Sequence, residues 1–213
     1  MSGDVLQNII ILLPVLIFSM AIHEFMHAFA ADRLGDDTAR HQGRLTLNPL
    51  PHIDPIFTVA LPLFLLLSGS PYLFGAAKPV QVNFSRLRYG EFGGAIVGMV
   101  GPLTNLAIAG LAALLFNSLA PEFGTTIYSV FRIAIVLNIG LFLFNSIPWP
   151  PLDGSRLLHA FAPRPLQELM EVIEGLGPIS ILILFFLVYP LVQGPLANLI
   201  LKLIHLLAPS LVL

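Results

Sequence analysis

Residues 5–31 read VLQNIIILLPVLIFSMAIHEFMHAFAA, an apolar run that closes on His23-Glu24-Phe25-Met26-His27. On a helix turning about 100° per residue, His23 and His27 fall one turn apart on the same face. Both imidazoles can then reach a single Zn²⁺, with Glu24 beside it. The spacing supplies two metal ligands and a base. Because the motif sits in a segment long enough to enter a bilayer, for which about 20 apolar residues suffice, it points to zinc-dependent hydrolysis within a membrane.

The rest of the chain agrees with that setting. Of 213 residues 56% are hydrophobic and 10% charged, with a mean hydropathy of +0.88, whereas soluble domains carry about 25% charged residues. A formal charge of -2 and the lack of any basic run give no sign of a nucleic-acid partner. With no cysteine, disulfides and thiolate ligands are both excluded, so zinc must be held by histidine and carboxylate. Val5 to Ile22 resembles a signal-peptide core, yet no Lys or Arg precedes it and its removal would damage the motif. It reads as a retained first span.

Along the chain, a first apolar helix from Val5 to Ala31, with Pro14 as a kink, ends in the polar stretch Asp32 to Arg44. A second apolar run, Ile56 to Phe74, is interrupted by Pro62, Gly69 and Pro71. Lys78 to Asn83 then alternates like a short strand. A third run, Phe92 to Leu119, carries Gly94, Gly98, Gly101, Pro102 and Asn105; Gly94 and Gly98 form a GxxxG pair suited to close helix packing. A fourth, Ile127 to Ile147, leads into Pro148-Trp149-Pro150-Pro151-Leu152-Asp153-Gly154. After Pro163 to Glu174 come Ile179 to Val192 and a short Leu196 to Leu207, which would lie at the interface or tilt across. The expected fold is an all-α polytopic membrane protein: a bundle of about five to six transmembrane or re-entrant segments with a small membrane-associated β-hairpin. Residues 1–213 form one membrane-embedded domain, with a catalytic core over about 5–156 and C-terminal helices over about 164–213.

Charge constrains the threading. Of the ten Lys and Arg, Arg33, Arg40 and Arg44, then Lys78, Arg86 and Arg88, then Arg156 and Arg164 fall in three connections. The positive-inside rule makes all three cytoplasmic. The Ile56 to Phe74 run between the first two therefore cannot cross once, and is expected to be re-entrant or a hairpin. The third run then goes outward and the fourth returns, bringing Asp153 to the same side as His23 and His27. A catalytic zinc site commonly has three protein ligands and one open position, and Asp153 is the best third ligand. Taken alone, Asp-Gly after prolines is an ordinary turn.

With these elements in order the chain resembles the site-2 proteases, zinc metalloproteases of intramembrane proteolysis. The resemblance rests on His23-Glu24-Phe25-Met26-His27, on Gly101-Pro102-Leu103-Thr104-Asn105, and on Asn145-Ser146-Ile147-Pro148-Trp149-Pro150-Pro151-Leu152-Asp153-Gly154. It implies His23, His27 and Asp153 as ligands of one Zn²⁺, Glu24 as general base and Asn145 near the scissile peptide. It also implies membrane-protein substrates with a transmembrane segment, a multi-pass position in the plasma membrane, and an active site toward the cytoplasm. No PDZ or CBS module is visible in the sequence.

Further polar residues have two readings each. Substrate helices must unwind to expose a carbonyl, and the Lys78 to Asn83 strand, Lys78 and Val80 included, offers an edge for pairing; a structural hairpin is the alternative. Asn105 could contact substrate, but for Asn105 and Asn138 interhelical hydrogen bonding is at least as good an account. His52 and Asp54 could support the site or gate it, or be an interfacial histidine and a helix N-cap. His41, His159 and His205 are simplest as surface or interface residues. The competing class, a polytopic metal-ion transporter or metal-binding membrane protein, explains intramembrane His and Asp but gives Glu24 no task.

Overall fold

The structure is a computed structural model that describes residues 3–68 and 77–211. Four helices in it are long and apolar enough to cross a membrane: Ile9–Arg33, Glu91–Leu119, Thr126–Asn145 and Ile179–Leu207. The first belongs to α1 (Gly3–Arg33), which runs on through Pro14. The next two are α4 (Glu91–Leu119) and α5 (Thr126–Asn145), an antiparallel pair whose turn is closed by the Thr125 hydroxyl capping the Tyr128 N–H at 3.2 Å. Ala109, Ala112 and Ala113 of α4 let Ile135 and Ile139 of α5 approach closely, and Ile204, Ala208 and Leu211 complete this buried core. Small residues at such a seam are what helix packing in lipid favours. Phe186, Leu187, Leu191 and Leu114 face outward, as side chains bathed in acyl chains can.

Among the described residues the candidate spans number four, a little fewer than the five or six segments expected, because the C-terminal runs are one helix. α8 (Pro178–Ile183), a π turn (Leu184–Val188) and α9 (Tyr189–Leu207) follow without interruption. Gly194 and Pro195, which lie between the two expected runs, are inside α9. Proline is tolerated in a membrane helix when local π adjustments and neighbouring helices satisfy the freed carbonyls.

The Ile56 to Phe74 run contains a π turn (Pro55–Ala60) and α3 (Leu61–Leu67). Together they rise about 20 Å, short of the roughly 30 Å of a bilayer core. Its Gly69, Pro71 and Phe74 lie outside the described residues. The flanks of the run meet: the Lys78 N–H donates to the His52 carbonyl at 2.9 Å and the Arg44 guanidinium to the Lys78 carbonyl at 2.6 Å. The chain therefore leaves and returns at one place.

The expected β-hairpin is not formed: the described residues contain no strand. Within residues 77–83 the backbone groups of Lys78, Val80 and Asn83 bond to side chains and loops, not to a sister strand. Besides Lys78, the Val80 N–H donates to Glu24 at 2.8 Å and the Asn83 N–H to Asp36 at 2.7 Å. Alternation marked a segment with two differing sides, but the groups that pair with it are distant in sequence.

The first two basic connections form one surface. The short α2 (Thr38–His41) lies on it, the Arg88 N–H donates to the Leu34 carbonyl at 2.8 Å, and Arg86 pairs with Asp37 at 2.6 Å. α6 (Gly154–Phe161) and α7 (Arg164–Gly175) close the same end, with His159 on Glu91 at 2.8 Å and Arg156 paired to Glu174. At the opposite end Gln7 meets Thr126 and Asn117 meets the Leu207 carbonyl.

Candidate metal centre

The HExxH turn of α1 lies against the glycine-rich first half of α4. His23 and His27 are both buried, and their Nε2 atoms stand 2.9 Å apart. Asp153 Oδ2 lies 3.1 Å from the first and 3.4 Å from the second. Asp153 occupies the N-cap position of α6 but makes no capping bond; its carboxylate faces the histidines instead. Its loop is anchored by α8, where the Ser180 carbonyl accepts from the Trp149 indole N–H at 3.2 Å and the Ser180 hydroxyl donates to the Pro150 carbonyl.

These three side chains are the group in the described residues whose ligand atoms could hold one metal ion. The donor chemistry fits. The Nδ1 of His27 lies 2.6 Å from the Val97 carbonyl, which can only accept, so Nδ1 carries the proton and Nε2 presents a lone pair. The Nδ1 of His23 lies 2.6 Å from Asn105 Oδ1, leaving its Nε2 in the same state. Two lone pairs and a carboxylate brought together repel one another unless a cation lies between them. Ligand atoms about 2.0–2.1 Å from a tetrahedral zinc stand roughly 3.3–3.4 Å apart, close to the separations here.

Room for the imidazoles comes from missing side chains. A Cβ at Gly101 would fall 2.7 Å from His23 Cε1 and closer still to His27 Nε2. At Gly98 it would meet the Asp153 carbonyl at 2.8 Å and Arg156 Cβ at 2.7 Å. The GxxxG reading of close helix approach is right for Gly98, whose neighbour is the first turn of α6 with its N-cap Asp153; Gly94 faces Phe84.

Among curated proteins, the Bacillus subtilis protein named "Putative zinc metalloprotease YwhC" is 38% identical to this chain over 181 residues, covering 82% of this chain and 79% of that one. The chain belongs to the site-2 protease family of zinc metalloproteases. The proteins named "Putative zinc metalloprotease Rip2" are similar too, at 29% identity in Mycolicibacterium smegmatis and 28% in Mycobacterium tuberculosis. Those matches cover 79% and 78% of this chain and 63% of each relative. No protein-family model and no solved structure matches the chain.

Within this site-2 protease homologue, the structure gathers His23, His27, Asp153, Glu24, Asn105 and Val80. Glu24 is buried and its Oε2 accepts the Val80 N–H. The other candidates are engaged elsewhere. Asn145 donates to the Leu141 carbonyl at 3.0 Å, and the Lys78 side chain is exposed. His52 is buried with Nε2 on the Thr46 carbonyl, and Asp54 caps the π turn through the N–H groups of Ile56 and Phe57. Ser19 and the Val97 carbonyl were missed as partners of the site. Ser19 has a retrospective signal, lying four residues before His23 on the same helix face.

Proposed function

We propose that this protein is a zinc-dependent intramembrane endopeptidase that hydrolyses peptide bonds in the transmembrane segments of other membrane proteins, in regulated intramembrane proteolysis. The observation that carries the reading is the convergence of two proton-free imidazole nitrogens and the Asp153 carboxylate, all within 3.4 Å of one another, beside a buried glutamate in a bundle of membrane-type helices. His23, His27 and Asp153 would hold one Zn²⁺ per chain. The bound metal would supply Lewis acidity toward a peptide carbonyl and acidify a water. Glu24 takes the proton of the attacking water and returns it to the leaving amine. The Val80 N–H restrains one Glu24 oxygen, so the base meets the substrate already oriented.

A helical substrate offers no free carbonyl, so cleavage requires local unwinding. An unwound strand laid beside Lys78 and Val80 would pass next to Glu24. Asn145, eight residues before Asp153, is the candidate to bind the substrate or the oxyanion. The basic end of the bundle would face the cytoplasm and the protein would sit in the plasma membrane.

Glu24→Gln preserves volume and removes the base. Zinc content should be unchanged, while cleavage of a transmembrane substrate in detergent or vesicles falls by about 10²–10⁴-fold. A zinc-loaded variant that still cut normally would remove Glu24 from the mechanism.

A further inference from the structure

The geometry points to Asn138 as a positioning residue for the metal ligand His23, acting through Asn105, with the direction of every bond set by a backbone carbonyl of α5. Asn105 and Asn138 are both fully buried. The Asn138 amide nitrogen donates to the Ala134 carbonyl at 2.9 Å and to the Ser19 hydroxyl at 2.9 Å. A carbonyl can only accept, so the NH₂ of Asn138 must point that way and its Oδ1 must face Asn105. Asn105 therefore turns its own NH₂ toward Asn138, at 2.9 Å. Its Oδ1 is left for His23 Nδ1, at 2.6 Å. An acceptor there requires the proton on Nδ1 and leaves Nε2 bare, facing Asp153 and His27.

The chain of bonds closes on itself. Ser19 precedes His23 by one helical turn, so the network leaves α1 at His23, crosses α4 at Asn105 and α5 at Asn138, and returns to α1 at Ser19. Inside a bundle no water competes for these groups, and reversing one amide would break two bonds and set like atoms against each other. The ring and tautomer of His23 are thus held before any metal arrives. His27 reaches the same state from one carbonyl, that of Val97. The two ligands are held by independent devices, and Asn138 belongs to only one of them.

This inference rests on the metal reading of the centre, and the test separates the two. Wild-type protein, Asn138→Ala, Asn138→Asp and Ser19→Ala are purified as full chains in detergent. Each is measured for zinc affinity against a chelator, for the absorption spectrum of its cobalt-substituted form, and for thermal melting of the metal-free form. Asn138→Ala should bind zinc about 10–100-fold more weakly, the range for losing an outer hydrogen-bond partner of a ligating histidine, and should alter the cobalt spectrum. Asn138→Asp, as the neutral acid that burial imposes, keeps an acceptor for the Asn105 NH₂ and an O–H for the Ala134 carbonyl, and should recover most of that affinity. Ser19→Ala removes one of the two acceptors of the Asn138 NH₂ and should weaken zinc binding measurably, by less than Asn138→Ala, even where Asn138→Ala fails to fold. Unchanged zinc affinity and cobalt spectrum in Asn138→Ala or Ser19→Ala would overturn the relay. Equal losses in Asn138→Ala and Asn138→Asp, tracking lower melting of the metal-free forms, would also overturn it, since that is the mark of packing alone. A wild-type chain that holds no zinc would instead sink the metal reading itself.

Discussion

A methyl group on Gly101 would sit against both imidazoles, within 3 Å of His23 Cε1 and of the His27 nitrogen that faces Asp153. Alanine is a better helix former than glycine by about 1 kcal/mol, so Gly101→Ala should leave the metal-free bundle at least as helical. What it should lose is metal: elemental analysis of the purified variant should find zinc well below the wild-type content, and peptidase activity should fall with it. Full zinc and activity would mean that α4 stands farther from α1 than this structure has it. At this scale the sequence was legible wherever chemistry imposes a spacing. His23, Glu24 and His27 declare themselves through helical periodicity, and Asp153 follows from the side of the membrane to which its loop returns. Gly101 was visible as part of a motif, but not as the residue that clears space for two rings, because close approach depends on which helix lies opposite. Ser19 carried only the weak signal of its place one turn before His23, since a serine in a membrane helix most often bonds its own backbone.

The elements show where pattern reading succeeds and where it fails. Three of the four long helices could be read from apolar length, which the bilayer dictates whatever the tertiary contacts; the fourth, Ile179–Leu207, was read as two shorter runs. The Lys78 to Asn83 segment could not, because alternation says that two sides differ and is silent on what pairs with them. Here the partner is partly one buried carboxylate. Asp36, fully buried, accepts from the Thr38 N–H and hydroxyl with one oxygen and from the Asn83 N–H with the other, tying the connection after α1 to the one before α4. Asp36→Ala removes the acceptor of all three bonds, whose donors on Thr38 and Asn83 are not themselves buried, a loss of about 0.5–1.5 kcal/mol per bond. The variant should melt lower, and trypsin should cut faster at Arg86 and Arg88. Asp36→Asn keeps an acceptor and should lie between it and the wild type. Wild-type melting and protection in Asp36→Ala would mean that other contacts hold the segment.

The whole molecule is organised by which end carries charge. Arg33, Arg40, Arg44, Lys78, Arg86, Arg88, Arg156 and Arg164 come from three connections far apart in sequence, and the described contacts bring those connections to one end of the bundle. The turn between α4 and α5 carries Glu122 and no Lys or Arg. Charge patterning alone argued that the Ile56 to Phe74 run enters and leaves on one side. The bond between Lys78 and His52 gives that argument a geometric counterpart, because a single crossing would set its flanks a bilayer apart. The protein has no cysteine, so single cysteines report cleanly. Cysteines replacing Gln42 and Arg86 should both react with an impermeant reagent supplied from the cytoplasmic side, and one replacing Glu122 only from outside. Gln42 is hydrogen-bonded to Gln81 at 2.6 Å and Arg86 to Asp37 at 2.6 Å, so the two positions belong to a single surface and must be labelled together. Labelling from opposite faces would require the run to span. α4 and α5 would then point the other way relative to α1, and Asp153 would be a full membrane away from the histidines that it faces at 3.1 and 3.4 Å.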